Sequence, residues 1–144
     1  MSAAARLYTP ELLALAVELA GHPPLENAAL RGEARSPTCG STLVMGLVPD
    51  AKGGIEALGM RVHACAVGQA SAAIFARHAR GRNRAAIENA LERMEAWLAG
   101  QGPMPDWPDL ELVAPAVAYP ARHGAMLLPW KAALAALSSA STPG

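Results

Sequence analysis

The sequence predicts an α+β fold: a small antiparallel β-sheet with helices packed on one face. Three observations carry this reading. An amphipathic helix opens the chain, two apolar runs flank the turn-forming stretch PDAKGG, and from Ala66 onward the apolar spacing is helical. At 144 residues the chain is long enough to bury one core. A single domain is expected over residues 1–138, followed by a disordered tail over 139–144.

The first helix is marked by Thr9 as cap, Pro10 at the first helical position and Glu11 in the first turn. Leu12, Leu13, Ala16, Val17, Leu19 and Ala20 supply its apolar stripe, and Gly21 with HPP stops it. Residues 25 to 38 read as loop or a frayed edge. STLVMGLV and GIEALGMRVHA then form a hairpin around PDAKGG, whose Pro, Asp and Gly suit a turn. By period two, Ile55, Ala57, Gly59, Arg61 and His63 share one face of the second strand. A small-residue helix starts near Ala66, with Gly68 placed for close backbone approach to a neighbour. Another helix starts near Asn83, carries Ile87, Ala90, Leu91, Met94 and Leu98 inward, and ends at Gly100. A Pro-rich connection with one helical turn at DLELV leads to a last helix over ARHGAMLLPWKAALAAL. Pro129 is expected to kink that helix or mark a restart.

Composition narrows the function. The 12 basic and 12 acidic residues balance and form no basic block, so neither nucleic acid nor an anionic membrane is an expected partner. Two cysteines are too few for a disulfide framework and point to a reducing, cytoplasmic setting. Glu11 and Glu18 interrupt the first apolar run, which is therefore read as a helix and not a secretory signal. No stretch approaches the length of a membrane span.

The chemistry-bearing residues are few. Cys39 lies in PTCGST, between a Pro-bounded loop and the first strand of the hairpin. Cys65 lies where the second strand gives way to a helix, a place where free N–H groups and the helix dipole favour a thiolate. Each alone is also compatible with a small buried hydrophobe. His63 precedes Cys65 by two residues and would face the same way on a continuing strand. His78 reads as structural on a solvated helix face, and His123 opens the last helix. No HExxH, CxxC, phosphate loop or GxSxG is present.

TCGSTLVMGLV, GIEALGMRVHACAVGQASAA and PARHGAMLLPWKAAL resemble the three signature regions of NifU/IscU-type iron–sulfur cluster assembly scaffolds, most closely the SUF-associated type. LYTPELLALAVELAGHPP resembles that family's N-terminal helix and loop. The resemblance implies a sheet-and-helix fold and a site of three cysteines with an aspartate or histidine. That site binds zinc or holds a nascent cluster for transfer to apo iron–sulfur proteins. Sulfur would come from a cysteine desulfurase.

Cys39 and Cys65 match the first two cysteines. The aspartate place is Ser41, the third-cysteine place is Ala125, and a histidine place found in one branch is Gly124. Ala125 offers no donor and Ser41 only a weak one, so His123 and His63 become the candidates to complete a set with Cys39 and Cys65 around zinc, iron or a cluster. The resemblance implies a scaffold and not an enzyme with turnover. Two alternatives follow from the same residues: a persulfide acceptor working with the desulfurase, or a site-degenerate paralogue acting as a binding module.

Overall fold

The computed structural model describes residues 7–37 and 40–139. Thr9 caps α1 (Pro10–Glu18), its hydroxyl accepting from the Leu12 amide at 3.1 Å. Leu12 and Leu15 are buried, and a 3-10 turn, Leu19–Gly21, ends the run. Three strands follow, β1 (Leu30–Arg35), β2 (Thr42–Pro49) and β3 (Ile55–His63), in the antiparallel order β1-β2-β3. Then come α2 (Ala66–His78), α3 (Arg84–Leu98), 3-10 segments at Leu110–Ala118 and Pro120–Arg122, and α4 (His123–Ser139). This is the α+β architecture expected, with α2 and α4 laid on one face of the sheet and α3 packed against α4.

The strand β1, at the edge of the sheet, falls where a loop or a frayed edge was expected. Arg31, Glu33 and Arg35 are exposed, while Gly32 and Ala34 are buried. Alternation is present, but the inward positions hold small residues with no strand preference. The reason is α4. A Cβ at Gly32 would run into the backbone of Ala132 and Ala136, so the helix lies almost on the strand.

In β3 the expected period-two face is broken near its start. Val48 pairs with Ala57 but Pro49 with Ile55, leaving Glu56 as the extra residue of a bulge. Ile55 is thereby returned to the core with Met60, and Glu56 is exposed.

Helix α4 shows no restart at Pro129: it is one element from His123 to Ser139, two residues beyond the apolar pattern. Pro129 is buried, and because it lacks an N–H it leaves the Ala125 carbonyl without its usual partner four residues on. The turn expected at DLELV is a longer 3-10 segment containing Pro115. Phe75, Trp107 and Trp130 form the aromatic centre of the core, with ring centroids 5.2 to 5.4 Å apart. Asn83 caps α3, its side-chain carbonyl accepting from the Ala86 amide at 2.9 Å.

His78 does not lie on a freely solvated face. Its Nε2 is 2.7 Å from Asp109 Oδ2, and Arg77 joins the same carboxylate at 3.2 Å while gripping Glu18 through two bonds of 2.6 and 2.7 Å. This network ties α1 and α2 to the residue before the long 3-10 segment. Asp109 is held there with φ at +72°, a left-handed conformation that Asp tolerates better than most residues.

The hydrogen bonds from His78 and then Arg77 hold the Asp109 carboxyl below its ordinary range, and those from Arg77 do the same for Glu18. Depressed carboxyl pKa values contribute stability above the unfolded values, which is lost as pH falls through the folded ones. Asp109→Asn, which keeps the left-handed tolerance, is therefore expected to lower the melting temperature at neutral pH. The gap should hold down to about pH 5 and close in stronger acid, as thermal melts across pH will show.

Candidate functional site

Sheet and helices bring three chain segments to one end of the molecule. The first is the connection from β1 to β2, closed by the Ser36 amide donating to the Ser41 carbonyl at 2.8 Å and the Gly40 amide donating to the Ser36 carbonyl at 2.9 Å. Gly40 has φ at +71°, which favours glycine. Cys39 belongs to this connection but lies outside the described residues. The second segment is the start of α2, and the third is the start of α4.

Cys65 is the N-cap residue of α2, with extended backbone and no side-chain capping bond. The thiol is free and the residue half-buried. Its position follows from the switch between strand and helix: β3 stops at His63, and Ala64 turns the chain inward. Gln69 fixes that turn. Its side-chain amide donates to the Ala64 carbonyl at 2.9 Å, and its backbone amide to the Cys65 carbonyl at 3.0 Å.

Close packing joins α2 to α4 behind the cysteine. A Cβ at Gly68 would lie 2.7 Å from Ala64 Cβ and 3.1 Å from Ala125 Cβ. This bears out the close approach expected of Gly68, and Ala125 is fully buried as its neighbour. Ser71 strengthens the contact from within, donating to the Met126 carbonyl at 2.7 Å. At Gly124, any Cβ would run into the Ser36 hydroxyl, so α4 begins directly against the β1–β2 connection.

His123 stands at the start of α4, half-buried, with Nε2 2.8 Å from the Val117 carbonyl. A carbonyl only accepts, so Nε2 donates in this bond, and in the neutral ring Nδ1 is the nitrogen with a lone pair. A ring fixed through one nitrogen by a carbonyl is the arrangement common to metal-ligating histidines. His63 is exposed at the end of β3 opposite Thr42. It does not share a face with Cys65 by strand alternation, because the strand ends before the cysteine. Ser41 is buried at the head of β2.

Among the described residues no three His, Cys, Asp or Glu side chains come together as a metal-ligand group. Cys65, His123 and His63 thus do not form a closed site by themselves. Gln69 and Ser71, which hold the framework, went unnoticed in the sequence: GQAS reads only as small and polar, and nothing local reveals a bond to a carbonyl 55 residues away. Among the described residues no helix is long and apolar enough to cross a membrane.

No family model and no curated protein matches the sequence. Solved structures do. A NifU-like protein (N-terminal part) from Brucella abortus is 26% identical, with a TM-score of 0.86 over 98% of this chain and 100% of that one. A protein from Fervidobacterium islandicum, described as a candidate iron–sulfur cluster assembly scaffold for the SUF system, is 22% identical, with a TM-score of 0.77 over 91% and 96%. The NifU/IscU-type resemblance read from the sequence is borne out by these structures.

Proposed function

We propose that this NifU-like chain is an iron–sulfur cluster assembly scaffold whose cargo, iron or a nascent cluster, is held by Cys39 and Cys65 with His123 as third ligand. The observation that carries the reading is the likeness to the Brucella abortus NifU-like protein over nearly the whole of both chains. The placement of Cys65 agrees with it: a free, half-buried thiol at a helix start, unused for capping, while His123 at the start of α4 is oriented by the Val117 carbonyl. Two thiolates and an imidazole fall one short of four ligands. The remaining position is open to a fourth donor from outside, as transient holding requires. Such a set also suits zinc with one open position. The partners would be a cysteine desulfurase supplying sulfur and apo iron–sulfur proteins receiving the cluster, in the cytoplasm.

Anaerobic reconstitution with ferrous iron and sulfide should give protein with visible charge-transfer absorbance and bound iron. Absence of absorbance, together with no zinc in protein purified without chelator, would sink the proposal.

A second reading is favoured by one observation: Ala125, fully buried against Gly68, has no donor to offer at the place of a third thiolate. Cys65 would then act as a persulfide acceptor. Its thiolate attacks the outer sulfur of the desulfurase persulfide. The old S–S bond breaks as the new one forms, and the desulfurase thiolate leaves. No oxidant is consumed. Mass spectrometry after incubation with desulfurase and cysteine, without iron, would show one added sulfur on Cys65.

A further inference from the structure

The outer face of the sheet, turned away from α2 and α4, carries a basic surface that the proposed cluster site does not use. Directly paired residues in a sheet point the same way. The register therefore defines three rows: Arg35, Thr42 and His63 nearest the Cys65 end; then Glu33, Val44 and Arg61; then Arg31, Gly46 and Gly59. Arg31, Arg35, Arg61 and His63 are all exposed, and Glu33 is the one carboxylate in these rows.

The third row is roofed on one side. A Cβ at Gly59 would run into the Pro23 carbonyl, and one at Gly46 would lie 2.7 Å from Ala28 Cβ. The segment after α1 thus lies on the glycines and walls a cleft of about 140 Å³, with Leu25 on one side and Arg31, Val44 and Arg61 on the other. Arg31 braces the wall, its Nη2 donating to the Leu25 carbonyl at 3.3 Å. No carboxylate lines the cleft, and among the described residues neither Arg61 nor Arg35 makes an ion pair.

We propose that this face docks an extended, carboxylate-rich segment of a partner protein, with one acidic side chain in the Arg31–Arg61 cleft and another reaching Arg35. Size and spacing favour a peptide over a small anion. Arg31 and Arg35 are separated by about 13 Å of strand, more than one small oxyanion bridges, whereas acidic residues four positions apart in an extended segment also lie about 13 Å apart and reach both, with a neutral residue over Glu33. Glu33, between the two arginines of β1, repels a carboxylate placed directly over it and so sets the register. The bound segment would end beside the Cys65 end of the sheet. Nothing in this proposal requires Cys39 or Cys65 to hold a metal, so metal-free protein tests it independently of the scaffold reading.

The probe is a capped ten-residue peptide of Thr and Ser carrying Glu at its third and seventh positions, with its Gln counterpart as control, followed by amide shift mapping. The Glu peptide should move amides of β1 and β3, weaken with added salt, and lose at least about tenfold in affinity with Arg61→Gln. Arg35→Gln should weaken it as well, and Arg93→Gln on α3 should leave it unchanged. Arg61 is exposed, so loss of fold is not expected, and an unchanged spectrum away from the sheet confirms it. Equal binding of the Gln peptide, indifference to Arg61→Gln, or shifts on another surface would overturn the proposal. Free succinate or inorganic phosphate binding the same amides as tightly as the peptide would overturn it too, leaving a small-anion site.

Discussion

Cys65→Ala is expected to cut iron retained after reconstitution by at least about tenfold and to remove the visible absorbance, since a lost thiolate outweighs the 10- to 100-fold effects seen for outer-shell partners. The argument is positional. Cys65 stands at the start of α2 with no capping bond, so its removal costs the helix little. Gln69 still holds the turn through the Ala64 carbonyl. Cys65→Ser, which keeps the size and loses the soft donor, should fail equally. Thermal melts should place both variants within about 1 kcal/mol of the parent, which separates loss of ligand from loss of fold. Under the scaffold reading Cys39→Ala behaves the same way. If it leaves sulfur loading of Cys65 intact while the parent binds no iron, the persulfide reading stands instead. Full iron and absorbance in Cys65→Ala would refute the assigned ligand.

Gly32→Val should be the most damaging of the glycine substitutions on the sheet. Any Cβ there meets the backbone of Ala132 and Ala136, and backbone cannot rotate away as a side chain does. To admit two more methyl groups, α4 must lift off β1, disturbing the whole inner layer. The expected loss is about 3 kcal/mol or more, a fall in melting temperature of roughly 10 °C for a chain of this size. Gly21→Ala is the control: nothing lies within 4 Å of its added Cβ, and its melting temperature should hold or rise slightly. A Gly32→Val protein that melts with the parent would mean that α4 and β1 are less closely joined than described.

The parts of the fold that announce themselves locally were legible in the sequence. Thr9-Pro10 and Asn83 mark helix starts by their capping chemistry, and PDAKGG marks a turn. The change of period from Ala66 onward placed Cys65 at a strand-to-helix junction, where the structure has it. Strand β1 was not legible, because its inward residues are Gly32 and Ala34, chosen by the helix that presses on them and not by strand propensity. The bulge at Glu56 was hidden for a related reason, since it depends on which residue of β2 stands opposite. At the site, Cys65 and the opening position of His123 were readable. The roles of Gln69, Ser71 and the Val117 carbonyl were not, because each is a contact between distant segments. The ion-pair network of Glu18, Arg77, His78 and Asp109 joins residues up to 59 positions apart and has no signature in any window of sequence.

The contact between Gly124 and Ser36 bears on which other ligand sets are within reach of this sequence. Gly124→His alone drives a side chain into the Ser36 hydroxyl and pushes on the connection that carries Cys39. Ser36→Gly alone opens a gap and gains no ligand. The two changes are each unfavourable singly and compatible together, so their effects on stability should be strongly non-additive in a double-mutant cycle. The departure at position 124 is thus held in place by its neighbour, and a mutational walk towards a histidine there must first cross a less stable intermediate.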